Sequence, residues 1–600
     1  MIATSDNRRP IALARFLRLV GQMARLLALC CARMEGRRGL FLFGLVLGLN
    51  LIGIPITVRL IGWSADFYNA LQKADAAAAV EQIGVFAGLT VLSATIFLIA
   101  SYLRKRLVML WRRELTSALL DRWLAAQVFW QAGKDGEDAA IENPDQRVGE
   151  DAALFLERVL GEEGGRGNVL SLITSVVALV SYVTVLWNLS TFALPLSFLG
   201  LSIEIPRYMV WAAPIYVAVS SAITHWLGAP LKNLMFEQQR REGDFRFALA
   251  RLRENAEPVA LAGGQAVERE ILGQRFEAIA TNWYALIRRE LIQGTFTRPY
   301  FQTVLRIPMF LALPAFLAGR VTLGGLMQIA SAFQNVVTTL SWFIFAYHDL
   351  AELAAATSRL DGFLRATERP SETYKDRVAN TTPTNPDGLG WRDLCLLTPT
   401  GTGLLTLPDA WFEPGAPIWI KAPSGTGKTT LLRAIGGLWP HRVGTIRRPA
   451  GTVHIVPQQA YMPLGSIGAA TTYPGAVDHY HPEAIARALT SVGMREHAPM
   501  VMQGRDASHG LSGGERQRLR LAGILLARPD WVFLDEATSA LDPEAEASIL
   551  ETLRRALPDT TFVIVSHRRP PLAGLRTYEI DSPRAPRATH LTLLRPAPGD

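Results

Sequence analysis

The chain has 600 residues, of which 49% are hydrophobic and only 19% charged, against roughly 25% charged in ordinary soluble domains; its mean hydropathy is +0.17. This length exceeds one ordinary domain, and the composition excludes intrinsic disorder and a collagen-like repeat and argues against a fully soluble enzyme. Three cysteines, two of them adjacent (Cys30, Cys31), exclude a disulfide framework and a paired CxxC metal site, and only seven of the 61 basic residues are lysines.

Residues 1–38 carry Arg8, Arg9, Arg15, Arg18, Arg25, Arg33, Arg37 and Arg38 against Asp6 and Glu35. Arg15, Arg18 and Arg25 interrupt any h-region across Ile11–Cys31, so an amphipathic helix at the inner leaflet fits better than a cleaved signal peptide. Residues 39–363 read as an α-helical transmembrane domain of six spans. Gly39–Val58 and Ile83–Leu103 are uncharged and long enough to cross about 30 Å of hydrocarbon. Asn168–Ile203 holds one span and an apolar outer loop, Tyr208–Leu231 a fourth span, and Val321–His348 the last. The fifth, Phe301–Gly319, is interrupted by Arg306, Pro308 and Pro314. Two long cytosolic loops, Arg104–Gly167 and Lys232–Arg298, extend the helices.

Arginine clusters before the first span and after the second, while the other set of loops is poor in cations. The positive-inside rule therefore puts both termini in the cytosol. Most of the net charge of +8 is then topology, and no nucleic-acid partner is expected. Arg306 would sit near the inner leaflet, where snorkelling suffices. Residues 364–390 form a polar, turn-rich linker, and 391–600 read as an α/β domain in which short β-rich runs alternate with helical stretches.

The α/β domain carries the chemistry. Pro417–Lys421 is a short buried strand, followed by Ala422-Pro-Ser424-Gly425-Thr426-Gly427-Lys428-Thr429-Thr430 and a helix. Successive N–H groups and a helix N-terminus cradle phosphate, Lys428 reaches the β/γ-phosphates, and the Thr429 hydroxyl coordinates Mg²⁺. Leu511-Ser512-Gly513-Gly514-Glu515 opens another helix, where N–H groups and a serine hydroxyl can hold an anion. Trp531–Asp535 is a β-rich run ending in Asp535 and Glu536; the first suits Mg²⁺, the second is placed to polarise water. Ser539–Asp542 follows, and Thr561–Ser566 is a second strand tipped by His567.

This order resembles the nucleotide-binding domain of an ATP-binding cassette (ABC) transporter. The resemblance makes Ala422–Thr429 the Walker A loop, Leu511–Glu515 the signature, Val532–Asp535 Walker B, Ser539–Asp542 the D-loop and His567 the H-loop. Pro457-Gln458 resembles the Q-loop, which implies that Gln458 shares the Mg²⁺ site. Gly436–Pro440 and Thr398–Gly401 look like the subfamily D transporters, which include peroxisomal acyl-CoA carriers and bacterial relatives. Phe67–Gln72, Asn143–Arg147, Glu242–Phe247 and Arg253–Glu257 resemble a bacterial branch of peptide and cobalamin importers. For Asn143–Arg147 two expectations stand side by side: a proline turn that starts a helix, and a coupling element docked near Gln458.

The family likeness implies an exporter-type membrane fold, ATP and Mg²⁺ as ligands, and catalytic roles for Glu536, His567 and Gln458. It implies phosphate contacts for Ser424–Thr430, Ser512, Gly513, Gly514 and Asp535, and Mg²⁺ held by Thr429, Gln458 and Asp535. One copy of each motif implies a homodimeric half-transporter with two composite ATP sites, spanning the bacterial inner membrane. A lipid or acyl-CoA flippase shares that engine, and a nucleotide-gated channel is the rival that Glu536 argues against. Two positions depart from the pattern: Ala422 stands where glycine is usual, and Leu397 where an aromatic usually stacks on adenine.

Overall fold

The computed structural model describes residues 9–125, 128–131, 143–161, 169–198, 201–304, 306–379, 388–423, 425–459, 461–501, 510–580 and 594–596. The chain forms two compact units, residues 1–120 with 143–363 and residues 121–142 with 364–600. The stretch 121–142, which the sequence boundaries put in the first cytosolic loop, groups with the second unit.

Helices α1 (Arg9–Cys30), α2 (Met34–Gln72), α3 (Ala76–Leu124) and α4 (Val128–Gln131) come first. The single turn α5 (Pro144–Gln146) runs through a π-helical stretch, Arg147–Asp151, into α6 (Ala152–Leu160). Then follow α7 (Val169–Leu189), strands β1 (Ala193–Phe198) and β2 (Leu201–Pro206), and helices α8 (Tyr208–Glu254), α9 (Ala256–Leu261), α10 (Gln265–Val304), α11 (Ile307–Leu317) and α12 (Leu323–Ala379).

Among the described residues five helical stretches are long and apolar enough to cross a membrane: α2, α3, α7, α8 and the α10–α11 stretch. The last expected span, Val321–His348, lies within the helix α12 from Leu323 onward. The fifth span is interrupted where the sequence places Arg306 and Pro308. It is the end of α10 followed by α11, broken where Pro308 enters the first turn of α11, and Arg306 lies exposed at that break. The apolar outer loop is an antiparallel hairpin, with Ala193 opposite Pro206 and Phe198 opposite Leu201. α12 also continues to Ala379, through more than half of the segment expected to be a linker. Glu368, Glu372, Lys375 and Arg377 are adequate helix formers there.

The apolar faces of α2, α7, α8, α10, α11 and α12 share one core around Ile61, Leu186, Met209, Tyr300, Ala312 and Phe333. The motif Phe67–Gln72 has a local explanation. Asn69 Oδ1 accepts from Gly324 N at 3.1 Å and Gln72 Oε1 from Leu323 N at 3.1 Å, so the end of α2 caps the start of α12. A Cβ on Gly324 would meet Ala65 O at 2.2 Å, which is why glycine stands there.

Polar pairs fasten other elements to α12. Gln22 and Arg25 of α1 reach Asp361 at 2.9 and 3.2 Å. Arg158 of α6 pairs with Asp349 at 3.1 Å. In the Asn143–Arg147 motif, Pro144 starts the helix as expected of a proline turn, and Arg147 Nη1 donates to Asp151 Oδ2 at 2.9 Å. Arg359 Nε donates to the same carboxylate at 2.8 Å. Burial opposes ionisation of Asp151, yet the hydrogen bonds from Arg359 and Arg147 hold its carboxyl below the usual carboxylate range.

The second unit contains β3 (Leu389–Leu397), β4 (Gly403–Leu407), β5 (Ala410–Phe412), β6 (Ile418–Lys421), α13 (Lys428–Ile435), β7 (Arg442–Arg447) and β8 (Val453–Val456). It continues with α14 (Ile467–Thr472), α15 (Pro482–Ser491), α16 (Gly513–Ala527), β9 (Trp531–Asp535), α17 (Pro543–Ala556), β10 (Thr561–Ser566), β11 (Arg576–Ile580) and β12 (Leu594–Pro596). A six-stranded sheet runs in the order β12-β11-β6-β10-β9-β8, and β3, β4, β5 and β7 form a smaller antiparallel sheet. Strands β6, β8, β9, β10 and β11 pair in parallel.

Both faces of the larger sheet are covered, which explains the near-continuous apolar runs. In β9 and β10, Val532, Leu534, Phe562 and Ile564 enter the core on the α16 side. Trp531, Phe533, Val563 and Val565 enter the opposite core with Leu431 and Ile435 of α13. This alternation follows from the two-residue period of a strand.

Candidate functional site

Four adjacent parallel strands, β6, β10, β9 and β8, end on the same edge of the sheet. Each delivers a candidate residue just past its C-terminal end: the loop 422–430 after β6, His567 after β10, Asp535 and Glu536 at the end of β9, and Gln458 two residues past β8. Residues far apart in the chain therefore stand in a row, where open parallel sheets hold their ligands.

The loop after β6 is shaped by two glycines with left-handed backbone, Gly425 at φ 82° and Gly427 at φ 92°, conformations that only glycine adopts at little cost. Ser424 lies outside the described residues. Thr426 Oγ1 donates to Pro423 O at 2.8 Å, and Thr430 lies in the first turn of α13. Ala422 is buried and has no left-handed φ, so a methyl in place of the usual glycine hydrogen fits without backbone strain.

Lys428 is nearly buried and meets three groups: Ala422 O at 3.1 Å, Glu536 Oε1 at 3.0 Å and His567 Nε2 at 3.0 Å. His567 Nε2 also lies 3.2 Å from Glu536 Oε1. Gln458 Nε2 donates to Glu536 Oε2 at 3.0 Å, and Thr429 Oγ1 donates to Asp535 Oδ2 at 3.0 Å. Glu536 has φ 49°, unusual for a residue with a side chain, and its N–H donates to Val565 O at 2.9 Å. Desolvation pushes the Asp535 carboxyl above its ordinary range; the Thr429 hydroxyl opposes this, neighbouring Glu536 adds to it, and Lys428 and Arg433 pull it back.

Ser512 begins α16 with a capping box. Its hydroxyl accepts from Glu515 N at 3.3 Å, and Ser512 N donates to Glu515 Oε2 at 2.8 Å. Those contacts from Ser512 hold the Glu515 carboxyl below its ordinary range. Ser512 and Gly513 are exposed, and Gly514 is half-buried against Ala540. Among the described residues no hydrogen bond joins Ser512, Gly513 or Gly514 to the loop 422–430. Gln517 ties α16 to the next segment through Ser539 Oγ at 3.3 Å and Ala540 N at 2.9 Å. Leu397 bears no ring; with Thr398, His441 and Arg442 it lines a hollow of about 310 Å³.

One contributor escaped the sequence analysis. Trp130 of α4 donates its indole N–H to Leu438 O at 3.3 Å, and the Arg433 guanidinium lies 5.4 Å from its ring centroid. The available signal was a Phe129-Trp130 pair inside an otherwise charged loop.

Comparison with known proteins agrees with this geometry. Residues 26–317 match the family described as ABC transporter transmembrane region 2, and residues 409–539 the family described as ABC transporter. The chain is 31% identical over 541 residues to the inner membrane ABC transporter ATP-binding protein YddA of Escherichia coli, covering 89% of this chain and 93% of that one. It is 28% identical over 589 residues to the chloroplastic ABC transporter D family member 2 of Arabidopsis thaliana, covering 86% and 79%. It is also 28% identical over 573 residues to the mouse lysosomal cobalamin transporter ABCD4, covering 84% and 85%.

Proposed function

We propose the following roles within this chain, which belongs to the ABC transporter family and hydrolyses ATP to drive transport across a membrane. The observation that carries them is the convergence of Lys428, Glu536, His567 and Gln458 at contacts of 3.0–3.2 Å. Residues 424–430 wrap the phosphates, with the N–H groups at the start of α13 directed at them. Lys428 places its charge on the β/γ-phosphates. Glu536 is the general base that orients the attacking water, and His567 contacts that water and the γ-phosphate. Ser512, Gly513 and Gly514 contact the nucleotide of a second copy.

Thr429 and Asp535 fit a hard divalent cation: a hydroxyl and a desolvated carboxylate, 3.0 Å apart, at the phosphate end of the loop. Among the described residues no cluster of three His, Cys, Asp or Glu side chains forms a cage. That donor set suits Mg²⁺, which takes most of its shell from water and phosphate. Thr429, Asp535 and Gln458 would hold it, and it would neutralise charge developing on the phosphates.

The protein works as a homodimer of half-transporters in the bacterial inner membrane, with both termini in the cytosol. This rests on one copy of each motif per chain, the arginine distribution, and the inner-membrane relative. Among peptides, cobalamin and acyl-CoA-like lipids, the name of the mouse relative puts cobalamin first. The test is ATPase activity of the lipid-reconstituted protein with each cargo class. Stimulation by one class, abolished in Glu536→Gln, is expected; transport that persists in that variant would mark a gated channel instead.

A further inference from the structure

We propose that Arg306 is a cargo-binding residue, a cation deep in the membrane that holds a carboxylate or phosphate of the transported molecule. This rests on the cargo classes proposed above and names the group they share. A peptide C-terminus, the phosphodiester of cobalamin and the phosphates of an acyl-CoA are all anionic.

Depth carries the first part of the inference. Arg306 is the one charge between Arg298 and Arg320. At 1.5 Å per residue it stands about 12 Å from Arg298 and about 17 Å from Leu317, the last residue of α11. The register with α8 agrees. Tyr216 Oη and Thr303 Oγ1 lie 3.1 Å apart, and the Tyr208 hydroxyl donates to Leu311 O, so Arg306 falls between those two levels. Within about 30 Å of hydrocarbon, that is deeper than the interfacial position at which snorkelling would suffice.

The face to which Arg306 belongs carries the second part. Phe296, Tyr300 and Val304 put one side of α10 into the shared core. On the opposite side Thr295, Arg298, Gln302 and Arg306 are exposed, three or four residues apart as one helix face requires. Farther along that side the exposed residues turn apolar, with Met309, Leu313 and Leu317. α3 shows how differently a span of this chain is built to meet hydrocarbon. It exposes Ile83, Phe86, Val91, Leu92, Leu98 and Ile99, and has no charge or carboxamide from Ile83 to Leu103. A guanidinium at midspan is costly unless it meets water or an anion, and such groups mark substrate paths. Among the described residues the Arg306 guanidinium makes no hydrogen bond or ion pair. Its counter-charge comes from elsewhere. A polar strip ending at this cation fits a cargo whose anionic group passes Thr295, Arg298 and Gln302 and stops at Arg306.

The test uses the full-length protein in lipid nanodiscs, with Cys30→Ala, Cys31→Ser and Cys395→Ser removing the native thiols. Gln302→Cys places a reporter thiol one helical turn from Arg306. Its labelling rates with anionic sulfonatoethyl and cationic trimethylammonioethyl methanethiosulfonate are each divided by those of 2-mercaptoethanol in solution. The anionic reagent should then be favoured about 10-fold or more, as in a cleft that concentrates one sign of charge. Arg306→Gln should remove most of that preference, and Arg306→Lys should keep it. Leu98→Cys, on the apolar face of α3, should react with neither reagent. Saturating free-acid peptide, cobalamin or acyl-CoA should slow labelling of Gln302→Cys for one class. The counterpart lacking the anion (peptide amide, cobinamide or acyl-pantetheine) should not. A Gln302→Cys as unreactive as Leu98→Cys would overturn the proposal by placing this face against lipid. Reactivity without an anion preference would also overturn it, with Arg306 neutralised by an acid of a second copy. Protection by none of the three classes, or equal protection by a counterpart, would do the same. The labelling needs no turnover, so protein that labels and is protected as expected but hydrolyses no ATP would defeat the site roles proposed above and leave that of Arg306.

Discussion

Lys428 Nζ lies 3.0 Å from Glu536 Oε1, and both side chains are largely shielded from water. The ammonium that should meet phosphate is paired with the carboxylate that should meet water. A shielded pair of this kind holds each partner strongly, because little solvent screens it. Nucleotide phosphate would draw Lys428 away and leave Glu536 with Gln458 and His567, the arrangement a water-orienting base requires.

Glu536→Gln tests that arrangement. The substitution keeps the size of the side chain but removes the charge opposite Lys428 and the acceptor for a water proton. ATP binding should persist while turnover falls by about 10²–10⁴-fold, the usual worth of a positioned general base. Steady-state ATPase and nucleotide trapping on the same sample measure both. Turnover above roughly a tenth of wild type would remove Glu536 from the base role.

Lys428→Ala should abolish ATP binding or turnover while leaving membrane insertion intact. Ala422→Gly, made beside it, should behave almost as wild type. Ala422 already has an ordinary φ, so glycine adds only backbone freedom, a cost of about 0.5–1 kcal/mol in stability. A gain of several-fold in ATPase for Ala422→Gly would mean that the methyl obstructs the phosphates.

The legible part of this protein was whatever its local pattern dictates. The loop 422–430 was readable because two positive-φ glycines and a strand-to-helix turn leave few alternatives. Asp535, Glu536 and His567 were readable because each ends or follows a strand buried on both faces. Partners distant in sequence were not. Nothing near Asp361 announces Gln22 and Arg25, and nothing near Leu438 announces Trp130. The linker boundary failed for a related reason: prolines and threonines lower helix propensity, but α12 carries on from an already packed helix, where propagation is cheaper than nucleation.

Asp151 gives a pH-dependent prediction. Its folded carboxyl titrates below the ordinary range because Arg359 and Arg147 favour the charged form against burial. A depressed carboxylate contributes stability above its unfolded pKa of about 3.9 and loses it as pH falls through the folded value. Asp151→Asn should therefore destabilise the protein at pH 7 by about 1.5–3 kcal/mol, the scale of hydrogen bonds to a charged group. Thermal unfolding in detergent at pH 7 and at successively lower pH should show the difference from wild type shrinking below pH ~4. A gap that stays constant as the pH falls would mean that shape rather than charge holds the junction.

The last prediction concerns the second copy. Thr426 in the phosphate loop and Leu511 before Ser512 belong to motifs present once per chain, and no hydrogen bond joins the two segments among the described residues. If each ATP lies between the loop of one chain and the signature of another, these positions approach across the interface when nucleotide is bound. A disulfide forms only when the Cα atoms come within about 4.4–6.8 Å, so Thr426→Cys with Leu511→Cys reads that distance strictly. The native thiols must be removed with attention to their surroundings. Cys31 and Cys395 are partly exposed and tolerate Ser. Cys30 is fully buried, and burial pushes its thiol up to about 12, so Ala is the better replacement because it buries no hydroxyl. Oxidation with trapped ATP should give a covalent dimer on non-reducing gels, and far less of it without nucleotide. A monomeric band with both engineered thiols oxidised within one chain would show that the site closes on itself and needs no second copy.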